Sequence, residues 1–328
     1  MIVSGDIQIA QVGCGYWGKN LLRNFAEIGA LAAVVDHDVT LTAKAADDYG
    51  VPVMTFADVI ADPMIHGIAI ATPAITHAGL SEQALAAGKH VFVEKPLALK
   101  PEEAEHLQLI AEKSGLTLMV GHLLQFHPIF QRLCELVQGG ELGELMYIYS
   151  NRMSLGKFRT EENVLWSFAP HDISMVLALV QGEEPAIVSA QGASFLTPGV
   201  ADWSTVQLQF GSGVRAHVQT SWLHPFKEQR LTVIGHKAMA VFEDSKPEWD
   251  DRLLIYRHTI DSSSGTPIPK AAQAEKILVS KSEPLRDECS HFVECIRSGM
   301  TPRTDGREGI RVLRVIDRAE SAMTLNGI

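Results

Sequence analysis

Gly13-Cys14-Gly15-Tyr16-Trp17-Gly18 is a GxGxxG turn, and Asp36 follows 18 residues after its last glycine. Gly13 and Gly15 let a chain turn tightly and approach a pyrophosphate, and Gly18 permits close packing of the helix that follows. The free N–H groups of that helix's first turn then face the anion. Asp36, at the end of the next β-rich run, is placed to accept hydrogen bonds from a ribose diol. Its charge repels a 2′-phosphate and no arginine follows it directly, which favours NAD over NADP. A methyltransferase also sets a glycine turn before an acidic residue, but the third glycine and the pattern of the second half of the chain argue against one.

Two other residues have side chains suited to the chemistry NAD serves. Oxidation of a secondary alcohol needs a hydride acceptor over the carbinol carbon and a base within reach of the hydroxyl. Lys95, in Glu94-Lys95-Pro96 directly after a β-rich run, can orient a hydroxyl and stabilise an alkoxide, or act as the base if burial destabilises its charge. His171 has the proton affinity for abstraction near neutrality, with an unperturbed pKa of about 6.5, and is equally suited to capping a helix.

Residues 7 to 121 alternate short β-rich runs with helical stretches, the pattern of a parallel sheet with crossover helices. Strands are predicted at Ile7 to Val12, Leu31 to Val35, Gly67 to Ala71, Val91 to Glu94 and Leu116 to Val120, with helices at Ile75 to Ala87 and Pro101 to Ser114. This is a doubly wound α/β Rossmann architecture over residues 1-121. Beyond it the period changes to strict alternation, as in Val206-Gln207-Leu208-Gln209-Phe210 and, after Gly211-Ser212-Gly213, Val214 to Gln219. Residues 122-328 therefore read as an α+β domain with a large, mainly antiparallel sheet. Its further strands are predicted at Ile187 to Phe195, Arg230 to Ile234, Ala238 to Phe242 and Leu253 to Tyr256. Its helices are placed at Pro128 to Val137, Pro170 to Val180, Pro284 to Arg297 and Arg307 to Met323, and residues 259 to 275 as a surface loop.

The net charge of -11 argues against a nonspecific nucleic-acid or anionic-membrane partner. No apolar run approaches the roughly 20 residues of a transmembrane helix, and Met1 to Val12 lacks the features of a secretion signal, so a cytoplasmic enzyme is expected. Cys14, Cys134, Cys289 and Cys295 show neither zinc spacing nor a disulfide framework. His122 and His127 have no carboxylate or cysteine at ligand spacing, and no metal is expected.

Glu94-Lys95-Pro96, taken with Ala71-Thr72-Pro73 and His77, resembles the glucose-fructose oxidoreductase and inositol dehydrogenase (Gfo/Idh/MocA) family. Pro284-Leu285-Arg286 through Ile296, and Thr304-Asp305-Gly306-Arg307-Glu308, extend the resemblance over nearly the whole chain. It implies that Lys95 lies between nicotinamide and substrate, that Pro96 follows a cis peptide, and that His171 is the catalytic histidine, with either Lys95 or His171 as the base. The same resemblance places Tyr16, Trp17, Ala71, Thr72, Pro73, His77, Glu94, Lys95, Pro96 and His122 at the cofactor, beside the turn glycines and Asp36, His77 packing there rather than taking part in chemistry. It departs from the family in one respect: Ser167 stands where many members carry an aspartate four residues before the catalytic histidine. Asp172 is adjacent to His171, and neighbours on a helix do not face each other.

Gly15-Tyr16-Trp17-Gly18-Lys19-Asn20, Gly121-His122, and the stretch from Ser150 through Arg159-Thr160-Glu161-Glu162-Asn163 to Trp166-Ser167-Phe168-Ala169-Pro170-His171-Asp172 are similar to nucleotide-sugar 3-dehydrogenases. That narrower likeness implies oxidation at C3 of UDP-N-acetylglucosamine or of its uronate. A PLP-dependent aminotransferase would be the pathway partner, and a homodimer or homotetramer built on the antiparallel sheet would be the assembly. Arg152, Lys157, Arg159 and Arg230 are the candidate cations for the substrate diphosphate, Asn163 a polar contact, and Trp166 a lining residue of the sugar pocket. A free-sugar or inositol dehydrogenase, and a noncatalytic NAD sensor, are the competing readings.

Overall fold

The computed structural model describes residues 7–156, 158–160, 162–261, 263 and 265–325. In chain order the elements begin β1 (Ile9–Val12), α1 (Gly18–Glu27), β2 (Leu31–Val35), α2 (Val39–Tyr49), α3 (Phe56–Ala61), β3 (Gly67–Ile70), α4 (His77–Ala86), β4 (His90–Glu94), α5 (Pro101–Ser114) and β5 (Leu118–Gly121). They continue with α6 (Pro128–Gln138), β6 (Leu145–Leu155), α7 (Val164–Leu179), β7 (Ile187–Ala193), β8 (Trp203–Gln209), β9 (Arg215–Ser221), β10 (Leu223–Gly235) and β11 (Met239–Glu243). The last are β12 (Leu253–Tyr256), β13 (Thr259–Asp261), β14 (Ile268–Lys270), β15 (Ala274–Lys276), α8 (Pro284–Ser298) and α9 (Gly306–Leu325).

The chain forms two compact units. One runs through Phe126 and takes in Glu283–Leu313; the other comprises His127–Ser282 and resumes at Arg314. The stretch Glu283–Leu313 thus returns to the first unit, where a division into 1-121 and 122-328 had placed it in the second. The reason is apolar: Phe292 of α8 packs edge-on against Phe25 of α1 (6.5 Å between ring centres) and Phe92 of β4 (5.8 Å). Leu285, Cys289 and Val293 join the same core beside Ile9, Leu21 and Met119. Val120 also donates a backbone hydrogen bond to Thr304 (2.8 Å).

The first unit is a five-stranded parallel sheet in the order β2-β1-β3-β4-β5. Its strands are buried along their length because crossover helices cover both faces, so they read as apolar runs. Asp38 caps α2, and Thr55 with Asp58 forms a capping box on α3, two helices that the apolar periodicity did not reveal.

The second unit holds an eight-stranded sheet ordered β15-β12-β11-β10-β6-β9-β8-β7. Only β6 and β9 pair in parallel; the other contacts are antiparallel. Alternate residues, among them Ile148, Val206, Leu208, Ala216 and Val218, are buried on one face, where α6 and α7 pack. β13 and β14 form a separate hairpin and β15 joins the sheet edge, so the segment 259 to 275 contains strands where a loop was expected. Its strands are three residues each and largely exposed, which leaves little apolar pattern to read. α7 begins at Val164 and carries Pro170 in its interior, not at its start. Pro170 removes one backbone donor. Asn163 supplies the true cap, and the nearly continuous burial of Leu165, Ala169, Ile173 and Val176 offsets that loss.

Candidate active site

The glycine turn leaves β1 at Val12 and enters α1 at Gly18. Gly13 has φ +92°, and a Cβ there would stand 2.5 Å from the Ala71 carbonyl oxygen. A Cβ at Gly18 would fall on the Gly13 carbonyl. At Gly15, by contrast, a side chain would meet nothing within 4 Å, so this stretch of backbone is open to a ligand. α1 has no side-chain cap, which leaves its first N–H groups available to a phosphate. Asp36 accepts from the Cys14 N–H (2.7 Å) and the Asp38 N–H (3.0 Å), which fixes its carboxylate beside the turn. Next to it lies a cleft of about 580 Å³ lined by Val39, Val53, Met54 and Thr55. An open turn, an uncapped helix and a fixed carboxylate fit NAD. Burial and the Asp36 charge push the Cys14 thiol up to about 12, which keeps it protonated.

On the other side of the sheet switch, His77 links two turns. Its Nδ1 lies 2.7 Å from the Pro96 carbonyl and its Nε2 2.9 Å from the Thr72 carbonyl. Burial lowers its pKa, so the ring is neutral and has one N–H to share between two acceptors. The Lys95–Pro96 peptide is cis. Glu94 closes β4 and accepts from Trp17 Nε1 in the glycine turn and from the Lys95 backbone N–H (3.2 Å). Gly121 lies opposite Glu94 in the sheet, and any Cβ there would come within 3.0 Å of the Glu94 carboxyl group. His122 meets Glu308 through Nδ1 (2.5 Å).

Behind these residues lies one that no motif indicates. Glu288 of α8 is fully buried, and neither of its carboxyl oxygens has a hydrogen-bond partner among the described residues. Burial, then the charges of Glu94 and Glu308, raise its pKa well above the ordinary carboxylate range. Glu94 is raised from 4.5 to about 7 by burial, against the opposing pull of Trp17, Lys95 and His122. The one sequence signal for Glu288 is its phase, since it shares the apolar stripe of Leu285, Cys289 and Phe292.

In the second unit the predicted substrate residues fall around α7. His171 lies in the middle of the helix and is half-buried, so it does not cap a helix start. Asn163 does: its Oδ1 accepts from the Trp166 N–H (3.2 Å). Its Nδ2 and Trp166 Nε1 both donate to Glu320 of α9, at 2.9 and 3.2 Å. The proposed diphosphate cations are already matched. Arg152 is buried and pairs with Asp172 (2.5 Å), Arg159 pairs with Glu162, and Arg230 pairs with Glu243 (3.1 Å). Lys157 lies outside the described residues. Glu320, Asp172 and Ser150, which donates to Asp172 (2.6 Å), are partners of the candidate residues that spacing did not indicate, because they lie 20 or more residues away from them in sequence. Among the described residues no group of three His, Cys, Asp or Glu is arranged to hold a metal ion.

Residues 7–122 match the model of an oxidoreductase family with an NAD-binding Rossmann fold, and residues 130–241 match the GFO/IDH/MocA C-terminal domain. The chain belongs to the GFO/IDH/MocA family. Within it, the chain is 28% identical over 303 residues to the UDP-N-acetylglucosamine 3-dehydrogenase of Acidithiobacillus ferrooxidans, covering 92% of each protein. It is 26% identical over 300 residues to the inositol 2-dehydrogenase of Rhizobium meliloti, covering 88% of each. The solved structure of the Acidithiobacillus ferrooxidans enzyme superposes with a TM-score of 0.85 at 25% sequence identity, over 97% of this chain and 98% of that one. As a GFO/IDH/MocA protein the chain is an NAD-type oxidoreductase, and the open glycine turn with Asp36 fits its dinucleotide.

Proposed function

We propose that the chain oxidises the C3 hydroxyl of UDP-N-acetylglucosamine to the ketone. The observation that carries this reading is the run from Asn163 to His171, folded as one helix with Asn163, Trp166 and His171 in its first half. This segment resembles the nucleotide-sugar enzymes, and the likeness to UDP-N-acetylglucosamine 3-dehydrogenase extends over both units. NAD, when bound, supplies the hydride acceptor. Lys95 orients the hydroxyl and stabilises the charge on oxygen, and His171 takes the proton. Trp166 and Asn163, steadied by Glu320, line the sugar side.

The product is a 3-keto nucleotide sugar, which a PLP-dependent aminotransferase converts to an amine for a lipid A or surface-glycan precursor. The enzyme acts in the cytoplasm as a homodimer or homotetramer. No helix among the described residues is long and apolar enough to cross a membrane.

One observation favours a second reading, oxidation of inositol or a free sugar. Arg152, Arg159 and Arg230 each face a carboxylate, which reduces the positive charge left for a diphosphate. Incubation with NAD and a panel of UDP-N-acetylglucosamine, its uronate, inositols and free hexoses, followed by NADH absorbance and product mass, separates the two. Turnover of a UDP-hexosamine with loss of two hydrogen atoms is expected. Turnover confined to inositols or free sugars overturns the nucleotide-sugar reading.

A further inference from the structure

Ser167, a residue without charge, stands one turn before His171. The structure shows how the next residue, Asp172, is held. Asp172 is buried against the sheet, with Oδ2 on Arg152 Nε (2.5 Å) and Oδ1 on Ser150 Oγ (2.6 Å). Both partners belong to β6, an interior strand of the eight-stranded sheet. With the Gln229 amide turned so that its oxygen faces Arg152, Arg152 Nη1 donates to that oxygen (2.9 Å) and the Gln229 nitrogen donates to Asp244 (3.2 Å), which also pairs with Arg252 (2.7 Å). The carboxylate is thus held by a polar chain, buried at Ser150, Arg152 and Asp172 and half-buried beyond them, that runs across several strands.

Successive helix residues are rotated by about 100°. With Asp172 pinned against β6, His171 is turned away from the sheet toward the partly exposed side of α7, in accord with its half-buried state. We propose that Arg152 and Asp172 are positioning residues for His171, together setting the direction of its ring and cancelling the charge beside it. The inference rests on the reading of His171 as the base.

Among the described residues, few other charges lie on the elements packed against α7. The faces of β8 and β9 that pack on it present Ser204, Val206, Leu208, Ala216, Val218 and Thr220, all uncharged. The buried side of α6 is Ile129, Phe130, Leu133 and Leu136. Glu320 of α9 meets the first turn of α7, at Asn163 and Trp166. Among the described residues, Arg152 and Asp172 are the charged pair packed against the middle of the helix.

The opposite charges give opposite expectations. In D172N the Arg152 cation is left uncompensated, and the His171 titration moves to lower pH. In R152M the Asp172 carboxylate is left uncompensated, and it moves to higher pH. The double variant R152M/D172N restores charge balance, returning the titration close to wild type, but loses the pin on α7. The test is histidine-labelled NMR of the whole chain with NAD bound, with H171A identifying the signal, alongside steady-state turnover of UDP-N-acetylglucosamine.

A double variant with the wild-type midpoint and kcat lowered about tenfold at similar KM is the expected result. If single variants do not fold because a buried charge is stranded, the double variant carries the test by itself. Midpoints that do not move in folded single variants, or a folded double variant with wild-type kcat, overturn the inference. Unchanged turnover in H171A overturns instead the reading of His171 as base, and the NMR midpoints still test the pair.

Discussion

Trp17 of the glycine turn donates its indole N–H to the buried carboxylate of Glu94 at the end of β4, so the cofactor turn and the Lys95 turn share one hydrogen bond. W17F removes that donor and leaves a carboxylate buried with one partner fewer. A hydrogen bond to a charged group contributes about 1.5–3 kcal/mol. W17F should lose stability of that order in urea unfolding and bind NADH more weakly by fluorescence titration. It should also shift Glu94 titration further up, since the indole holds the carboxylate down.

The glycine turn makes a sharper steric prediction. A Cβ at residue 18 would overlap the Gly13 carbonyl, whereas one at residue 15 meets no protein atom within 4 Å. G18A should therefore lower the melting temperature in the absence of NAD. G15A should keep the apo protein's stability within about 1 kcal/mol, the exposed-helix scale for such a change, yet weaken NAD binding because the methyl group occupies ligand space. Apo thermal unfolding and NAD titration of both variants separate the two roles.

Buried acids raised above their ordinary range carry a definite pH signature. Glu94 binds a proton more tightly in the folded chain, at about 7, than at its ordinary 4.5. Between those values the folded state holds more protons than the unfolded one, so stability falls as pH rises from about 4.5 to 7, by on the order of 3 kcal/mol. Glu288 is shifted in the same direction and extends the loss to higher pH. E288Q, which is neutral throughout, should flatten the decline in unfolding free energy between pH 5 and 8. Parallel wild-type and E288Q curves would refute a raised Glu288.

Asp36 is fixed by the Cys14 and Asp38 N–H groups at the rim of the cleft beside the turn. Replacing its charge should relax discrimination against a 2′-phosphate. D36S is expected to lower the NAD to NADP ratio of kcat/KM about tenfold or more, measured with the same substrate.

How far the sequence revealed this protein depended on the range of the interaction. Parallel strands such as Ile9–Val12 and Leu31–Val35 are buried on both faces, so their apolar runs are plain, and Pro101 and Gly115 bracket α5. The turn glycines and Asp36 are legible because their geometry is local. α7 was misplaced because Pro170 reads as a helix start, and only the Asn163 cap and tertiary burial show otherwise. The return of Glu283–Leu313 to the first unit depends on Phe292 meeting Phe25 and Phe92, more than 190 residues away in sequence. Arg152 looked like a phosphate ligand because a lone arginine near a candidate site carries no sign of its buried partner. Asp172 is that partner, 20 residues further on.

The central claim is that a hydride leaves C3 of the UDP-sugar for NAD. UDP-N-acetylglucosamine carrying deuterium at C3, incubated with the protein and NAD, tests it directly by mass spectrometry of the cofactor. Deuterated NADH together with an unlabelled 3-keto sugar is expected. NADH formed without deuterium, or no NADH from this substrate under conditions where the protein binds NAD, would contradict it.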